Sequence, residues 1–158
     1  MSRPNSSYEP QLVNRAGDVL GDDGIETLDF DRAVAELDGL NGSYAVRVEP
    51  AQDVRELLPY LEHIARFDIV FPGYRDGRGY SSARILRDAG YKGALRAVGD
   101  VLRDQVFIML RCGFDEFLLK DRTPSETVVA AAKRYSVTYQ SAADAATPVW
   151  ALRRAGAA

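Results

Sequence analysis

The sequence predicts an α/β fold of repeated strand–helix units on a mostly parallel sheet, and three observations predict it. An aromatic residue recurs at a near-constant interval, at Tyr44, Phe67, Tyr91, Phe114 and Tyr135, which are 23, 24, 23 and 21 residues apart. Each stands just before or at the start of a short apolar run: 44–48, 68–71, 94–98, 116–119 and 136–139. Helical patterns fill the gaps at 53–65, 81–89, 101–112 and 124–134. Short strands alternating with helices imply parallel pairing and right-handed crossovers. A barrel-like curved sheet (a partial TIM-type arrangement) with strands neighbouring in sequence order is favoured slightly over an open doubly wound sheet.

The elements follow in order. Residues 1–10 are polar with two prolines and are expected to be flexible. Gln11-Leu12-Val13-Asn14 and Asp18-Val19-Leu20 flank Arg15-Ala16-Gly17, which predicts a small N-terminal β hairpin or a pair of edge strands. Asp22-Asp23-Gly24 is a turn signal. Asp29 or Asp31 is placed to cap a short helix over 30–37, ended by Gly39 and Gly42. Pro50 and Asp53 open the next helix, where Leu57, Leu58, Leu61 and Ile64 recur at helical spacing. Gly90 and Gly113 stand where helix C-caps belong. Thr123-Pro124 pairs a capping side chain with a proline at the first helical position. The tail, 141–158, holds a further helix or frayed chain with Trp150 as its packing anchor. One domain over 1–158 is expected, divided into 1–10, an N-terminal hairpin and short helix at 11–42, strand–helix repeats at 43–140, and the tail.

Composition narrows the function classes. A net charge of −3 argues against nucleic-acid partners. No apolar run approaches the ~20 residues that cross a bilayer, and Met1-Ser2-Arg3-Pro4-Asn5 carries no apolar signal core, so a cytoplasmic protein without a membrane partner is expected. Cys112 is the only cysteine and His63 the only histidine. One of each leaves no internal disulfide, no cysteine-held cluster and no histidine-rich metal site, so no metal and no cofactor is expected. His63 reads as a surface or structural residue. Cys112 reads as a packing residue, because a helix C-terminus does not favour a thiolate.

Parallel α/β folds bind ligands at the carboxyl ends of their strands. Those ends carry Arg47-Val48-Glu49, the stretch Pro72 to Ser81, the stretch Gly99 to Gln105, Lys120-Asp121-Arg122, and Gln140. The most singular stretch is Arg75-Asp76-Gly77-Arg78-Gly79-Tyr80-Ser81. Its glycines permit close backbone approach, its arginines offer planar donor forks, and a helix N-terminus follows. It reads as an anion-binding loop, or as a long turn in which Asp76 and the arginines brace one another. It is neither a dinucleotide fingerprint nor a phosphate loop, because the third glycine and the Gly-Lys-Ser/Thr triplet are missing. Arg96, Asp100, Arg103, Asp104 and Gln105 complete the expected site. Asp100 is either a helix cap or an ion-pair partner of Arg75, Arg78 or Arg96. Asp76, Asp100 and Lys120 are the catalytic candidates, Lys120 as a Schiff-base lysine or simply a solvated loop charge. Acids paired with arginines stay ionised, which disfavours general-acid work.

The stretch Phe71-Pro72-Gly73-Tyr74-Arg75-Asp76-Gly77-Arg78-Gly79-Tyr80-Ser81-Ser82-Ala83-Arg84, with Leu86-Arg87, Gly90-Tyr91-Lys92-Gly93 and Leu95 to Gln105, resembles a bacterial family of unknown function. Members of that family are labelled as oxidoreductases involved in sulfite reduction. The resemblance spans roughly residues 44–119, with no departure in the Asp76–Ser81 or the Arg96–Gln105 block. It implies a role in assimilatory sulfate reduction, since the family's genes accompany those for sulfite or nitrite reductase and phosphoadenylyl-sulfate reductase. The residues themselves show no cysteine pair and no flavin or nicotinamide motif. The leading expectation is an accessory protein that binds an anionic sulfur metabolite, the sulfite reductase, or another sulfate-assimilation enzyme. The alternatives are a barrel-like lyase, isomerase or reductase with an Asp/Arg strand-end site, and a non-catalytic scaffold.

Overall fold

Side-chain alternation along the strands builds a sheet with two unlike faces. The computed structural model describes residues 10–120, 126–134, 138–143 and 147–155. Among them are the strands β1 (Gln11–Asn14), β2 (Thr27–Asp29), β3 (Tyr44–Val48), β4 (Ile64–Phe71), β5 (Ala94–Gly99) and β6 (Glu116–Leu119). They form one sheet in the order β1-β6-β5-β4-β3-β2. From β2 to β6 every neighbour is parallel and follows in sequence, while β1 closes one edge antiparallel to β6. A doubly wound sheet reverses its strand order at a switch point, and this order never reverses. It is the strand order of a barrel, but the sheet is open, with β1 and β2 as its two edges.

The helices are α1 (Phe30–Glu36), α2 (Arg78–Asp88), α3 (Val106–Cys112), α4 (Glu126–Ala132) and α5 (Val149–Ala155). An order that never reverses, joined by crossovers of one hand, sends the connections over a single face. That face carries Val46 and Val48, Phe67, Ile69 and Phe71, Leu95 and Ala97, and Phe117 and Leu119, all buried. Burying one large apolar side chain stabilises by about 1.5–3 kcal/mol. Of the recurring aromatics, Phe67, Tyr91 and Phe114 are part of this core and Tyr44 packs against it, while Tyr135 lies outside the described residues. Phe67 meets Tyr91 edge-on at 5.0 Å, and Phe71 lies 5.8 Å from Phe114. Arg87, on the last turn of α2, ties the starts of two strands together. It donates to the carbonyls of Tyr91, Gly93 and Gly113 and to the Asp115 carboxylate.

The hairpin forms as expected: Leu20 N–H donates to Leu12 O (2.9 Å), Val13 bridges Val19, and the Asn14 side chain caps the turn. Gly113, at φ 100°, ends α3 in the left-handed conformation that glycine adopts most easily.

Several expectations are corrected. The 53–65 helix is a 3₁₀ segment over Val54–His63, because Pro59 lacks the N–H an α-helix needs and its ring crowds the preceding turn. Consequently β4 begins at Ile64 rather than residue 68, and Ile64 belongs to the sheet. The 101–112 helix is a 3₁₀ turn over Arg103–Gln105 followed by α3, and Asp100 is not its cap. Trp150 is 46% exposed and stacks with Arg154 (5.4 Å) instead of anchoring the tail. Asp29 precedes α1 without a side-chain cap bond. In the expected fifth strand, Thr138 makes an isolated bridge to Pro148, while residues 135–137 and the Thr123-Pro124 cap lie outside the described residues.

Candidate functional site

At the carboxyl ends of β4, β5 and β6 the chain places most of the expected residues, and it pairs their charges with one another. Leaving β4, the Asp76 carboxylate accepts from Arg78 Nε (2.9 Å) and Nη2 (2.6 Å) and from the Arg78 amide (3.1 Å). The anion at the start of α2 is therefore the chain's own carboxylate. Hydrogen bonds from the Arg78 side chain, then from its amide, hold the Asp76 carboxyl at about 2. Arg75 donates to the Tyr74 hydroxyl (2.7 Å) with its guanidinium 5.3 Å from the ring centroid. Gly79 is a packing glycine, since a Cβ there would stand 2.6 Å from the Phe71 ring. A Cβ on Gly77 would make an ordinary 3.8 Å contact with the Tyr80 ring. Ser81 is exposed on α2, and Tyr80 lies half-buried against Phe71 at 5.2 Å, where burial pushes its hydroxyl up.

Two contacts join the next loop to this one. Asp100 N–H donates to Phe71 O (2.7 Å), and Gln105 Nε2 donates to Tyr74 O (3.2 Å) while its Oε1 accepts from Leu102 N–H (3.0 Å). Lys120 Nζ donates to Asp100 (2.9 Å). Lys120 is 62% exposed, so it lacks the desolvated pocket that activates a Schiff-base lysine. Arg103 and Asp104 are exposed and 3.7 Å apart. Tyr74 and Leu102, on the same two loops, are exposed. An acid held this far below neutrality is no general acid. The Asp76 carboxyl carbon should titrate by NMR with a midpoint near 2, and Arg78→Ala should return it toward about 3.9. Because the folded-state value is depressed, the contribution of the pair is complete above the ordinary carboxylate value and lost as pH falls through about 2.

Arg96 lies elsewhere. It sits in the middle of β5, with its side chain on the face opposite Leu95 and Ala97, and donates to Glu116 (2.6 Å) and Asp23 (3.2 Å). Sheet register aligns Arg47, Asp68, Arg96 and Glu116 in one row across β3 to β6, with charges alternating in sign. Arg66, one pleat away, donates through Nε (2.7 Å) and Nη2 (3.2 Å) to Asp68 and through Nη1 to Asp23. Arg66 and Asp68 are buried at 4% and 8% exposure, rare for ions on a parallel sheet, whose faces are normally apolar. Partial burial raises the Asp23 carboxyl, but hydrogen bonds from Arg66 and the Ile25 amide and the nearby guanidinium charges outweigh it and hold it below its ordinary value. Sequence reasoning missed Arg66, Asp68, Asp23 and Glu116. The available signal was the two-residue spacing of Arg66 and Asp68 inside an apolar run.

On the helix side, a cleft of about 410 Å³ runs between α2, α3 and residues 140–142, lined by Arg84, Ile108, Arg111 and Cys112 among others. Burial pushes the Cys112 thiol up, which suits packing rather than nucleophilic work. His63 is half-buried. Among the described residues no cluster of histidine, cysteine and acidic side chains is arranged to hold a metal ion, and no helix is long and apolar enough to cross a membrane.

The comparison with protein families matches residues 45–150 to a family described as a bacterial protein of unknown function, DUF934. The chain belongs to that family. No curated protein and no solved structure matches it. The DUF934 match runs from β3 into α5 and includes both strand-end loops and Arg66, Asp68, Arg96 and Glu116, but it leaves Asp23 outside. The family description names no activity and no sulfur chemistry.

Proposed function

We propose that this DUF934 protein is a cytoplasmic accessory protein of sulfite reduction that works by docking to the sulfite reductase through its strand-end loops. The observation that carries the docking half is the self-pairing of the loop charges around Tyr74 and Leu102, which are 55% and 37% exposed. Asp76 already occupies Arg78 and the first amide of α2, and Lys120 occupies Asp100. This arrangement favours a protein surface over a catalytic pocket. An exposed tyrosine and an exposed apolar side chain, on loops that also carry the exposed Arg75, Arg78 and Arg103, have the make-up of an interface centre. The sulfite half rests on the resemblance carried by the Asp76–Ser81 and Arg96–Gln105 blocks.

The test is a binding titration of the intact chain against the sulfite reductase of the same organism. Wild type should bind, and Tyr74→Ala should weaken binding by about 30-fold, the loss typical of an aromatic hot spot. Trp150→Ala, exposed on α5, should bind like wild type. No complex with wild type, or equal affinity for Tyr74→Ala, would overturn the proposal. Titration with sulfite and sulfate addresses the alternative: binding that Arg78→Ala abolishes would assign the loop to a small anion instead.

A further inference from the structure

We propose that Arg66 and Arg96 form a binding point for a small oxyanion on the face of the sheet opposite Phe67 and Leu95, and that Asp23 is a displaceable stand-in for that ligand. The site is separate from the strand-end loops, so it stands or fails independently of the docking proposal.

The argument begins with donors. A guanidinium carries five N–H groups in a planar fork. Arg66 commits Nε and Nη2 to Asp68, and Arg96 commits Nε to Glu116. These bonds run to carboxylates on the sheet itself, two residues away on β4 and in register on β6. The forks are therefore held from behind by the most rigid part of the fold. Their remaining ends, Nη1 of Arg66 and Nη2 of Arg96, converge on one atom, Asp23 Oδ2. Two arginines directed at a single oxygen form a preorganised oxyanion site, and holding them this way does not depend on Asp23. Thr27 Oγ1, 3.4 Å from Arg66 Nη2, adds a hydroxyl at the rim.

The present occupant is loosely held from its own side. Asp23 belongs to an exposed loop segment, residues 21–24. Nothing would lie within 4 Å of a Cβ on Gly21 or Gly24, and Gly24 has φ 67°. Among the described residues, the Asp23 side chain is otherwise held by the Ile25 amide (3.1 Å), two residues along the same loop. The Asp23 side chain is 32% exposed, so the group that covers the buried guanidiniums itself borders solvent. A tethered carboxylate competes with free ligand as a high local concentration would, so its removal raises the apparent affinity. The ligand class is a sulfate, a phosphate or a small carboxylate, any of which presents an oxygen that accepts from two guanidiniums.

The experiment compares the whole wild-type chain with Asp23→Asn, which keeps the size of the residue and an oxygen for the Ile25 amide but removes the charge. Each is titrated calorimetrically with sulfate, phosphate and acetate against chloride at matched ionic strength. Asp23→Asn should bind at least one of them about ten-fold or more tightly than wild type, and adding Arg96→Gln should abolish the gain. The three arms show which oxyanion fits. Equal affinities in wild type and Asp23→Asn, or no binding by Asp23→Asn, would overturn the proposal. If Asp23→Asn fails to fold, amide hydrogen exchange over residues 21–26 of wild type decides. Faster exchange in sulfate than in chloride supports displacement of Asp23, and identical exchange overturns it.

Discussion

Arg66→Ala is expected to lower the unfolding free energy by about 3–5 kcal/mol, the range for breaking a buried ion pair from one side. The magnitude follows from burial. The Arg66 side chain is 5% exposed and that of Asp68 12%, so truncation leaves a carboxylate with little access to water. Asp23 loses one of its two guanidinium partners in the same step. Urea or guanidinium unfolding followed by far-ultraviolet circular dichroism measures the loss. The double variant Arg66→Met with Asp68→Leu should recover most of it, because an apolar pair of similar volume needs no compensation. Arg78→Ala removes an ion pair of similar length from a side chain that is 61% exposed, and it should shift the unfolding midpoint far less. Equal losses for Arg66→Ala and Arg78→Ala would contradict the burial argument.

Gly99→Ala is expected to cost about 2–4 kcal/mol, combining a left-handed backbone with overpacking. Gly99 has φ 93°, and a Cβ there would stand 2.4 Å from the backbone oxygen of Phe71. A rotating side chain cannot relieve that clash, because the opposing atom belongs to the neighbouring central strand. The same carbonyl accepts the Asp100 amide at 2.7 Å, so separating the strands also loosens the join between the two strand-end loops. Gly99→Ala should therefore weaken docking as well as lower the unfolding midpoint. Unchanged stability in the Gly99→Ala variant would mean that the strands do not approach this closely.

Much of the sheet was legible because its signals are local. The apolar runs at 44–48, 94–98 and 116–119 match β3, β5 and β6 almost residue for residue, and Gly90 and Gly113 both adopt positive φ after their helices. The first half of β4 was not legible. Leu57, Leu58, Leu61 and Ile64 share a helical period, and only the missing Pro59 amide and the pairing of Ile64 with Tyr44 separate the 3₁₀ segment from the strand. A helix running to residue 65 conceals the charged face, since it leaves Arg66 outside the strand. Nearness in sequence to Gly99 groups Arg96 with the loops, whereas the two-residue pleat directs it to the face shared with Asp68 and Glu116. The strand-end rule did locate Tyr74 to Tyr80 and Asp100 to Gln105. It could not supply the pairing of Lys120 with Asp100, 20 residues apart, because register and loop packing set it.

Growth of a strain lacking the gene, complemented with wild type or with Tyr74→Ala, on sulfate, sulfite or cysteine as sole sulfur source tests the proposed role most directly. The expected result is normal growth on cysteine and impaired growth on sulfate and sulfite. Wild type should restore growth, and a folded Tyr74→Ala protein at equal abundance should not. Unimpaired growth of the deletion strain on sulfite, or full rescue by Tyr74→Ala, would contradict a docking role in sulfite reduction.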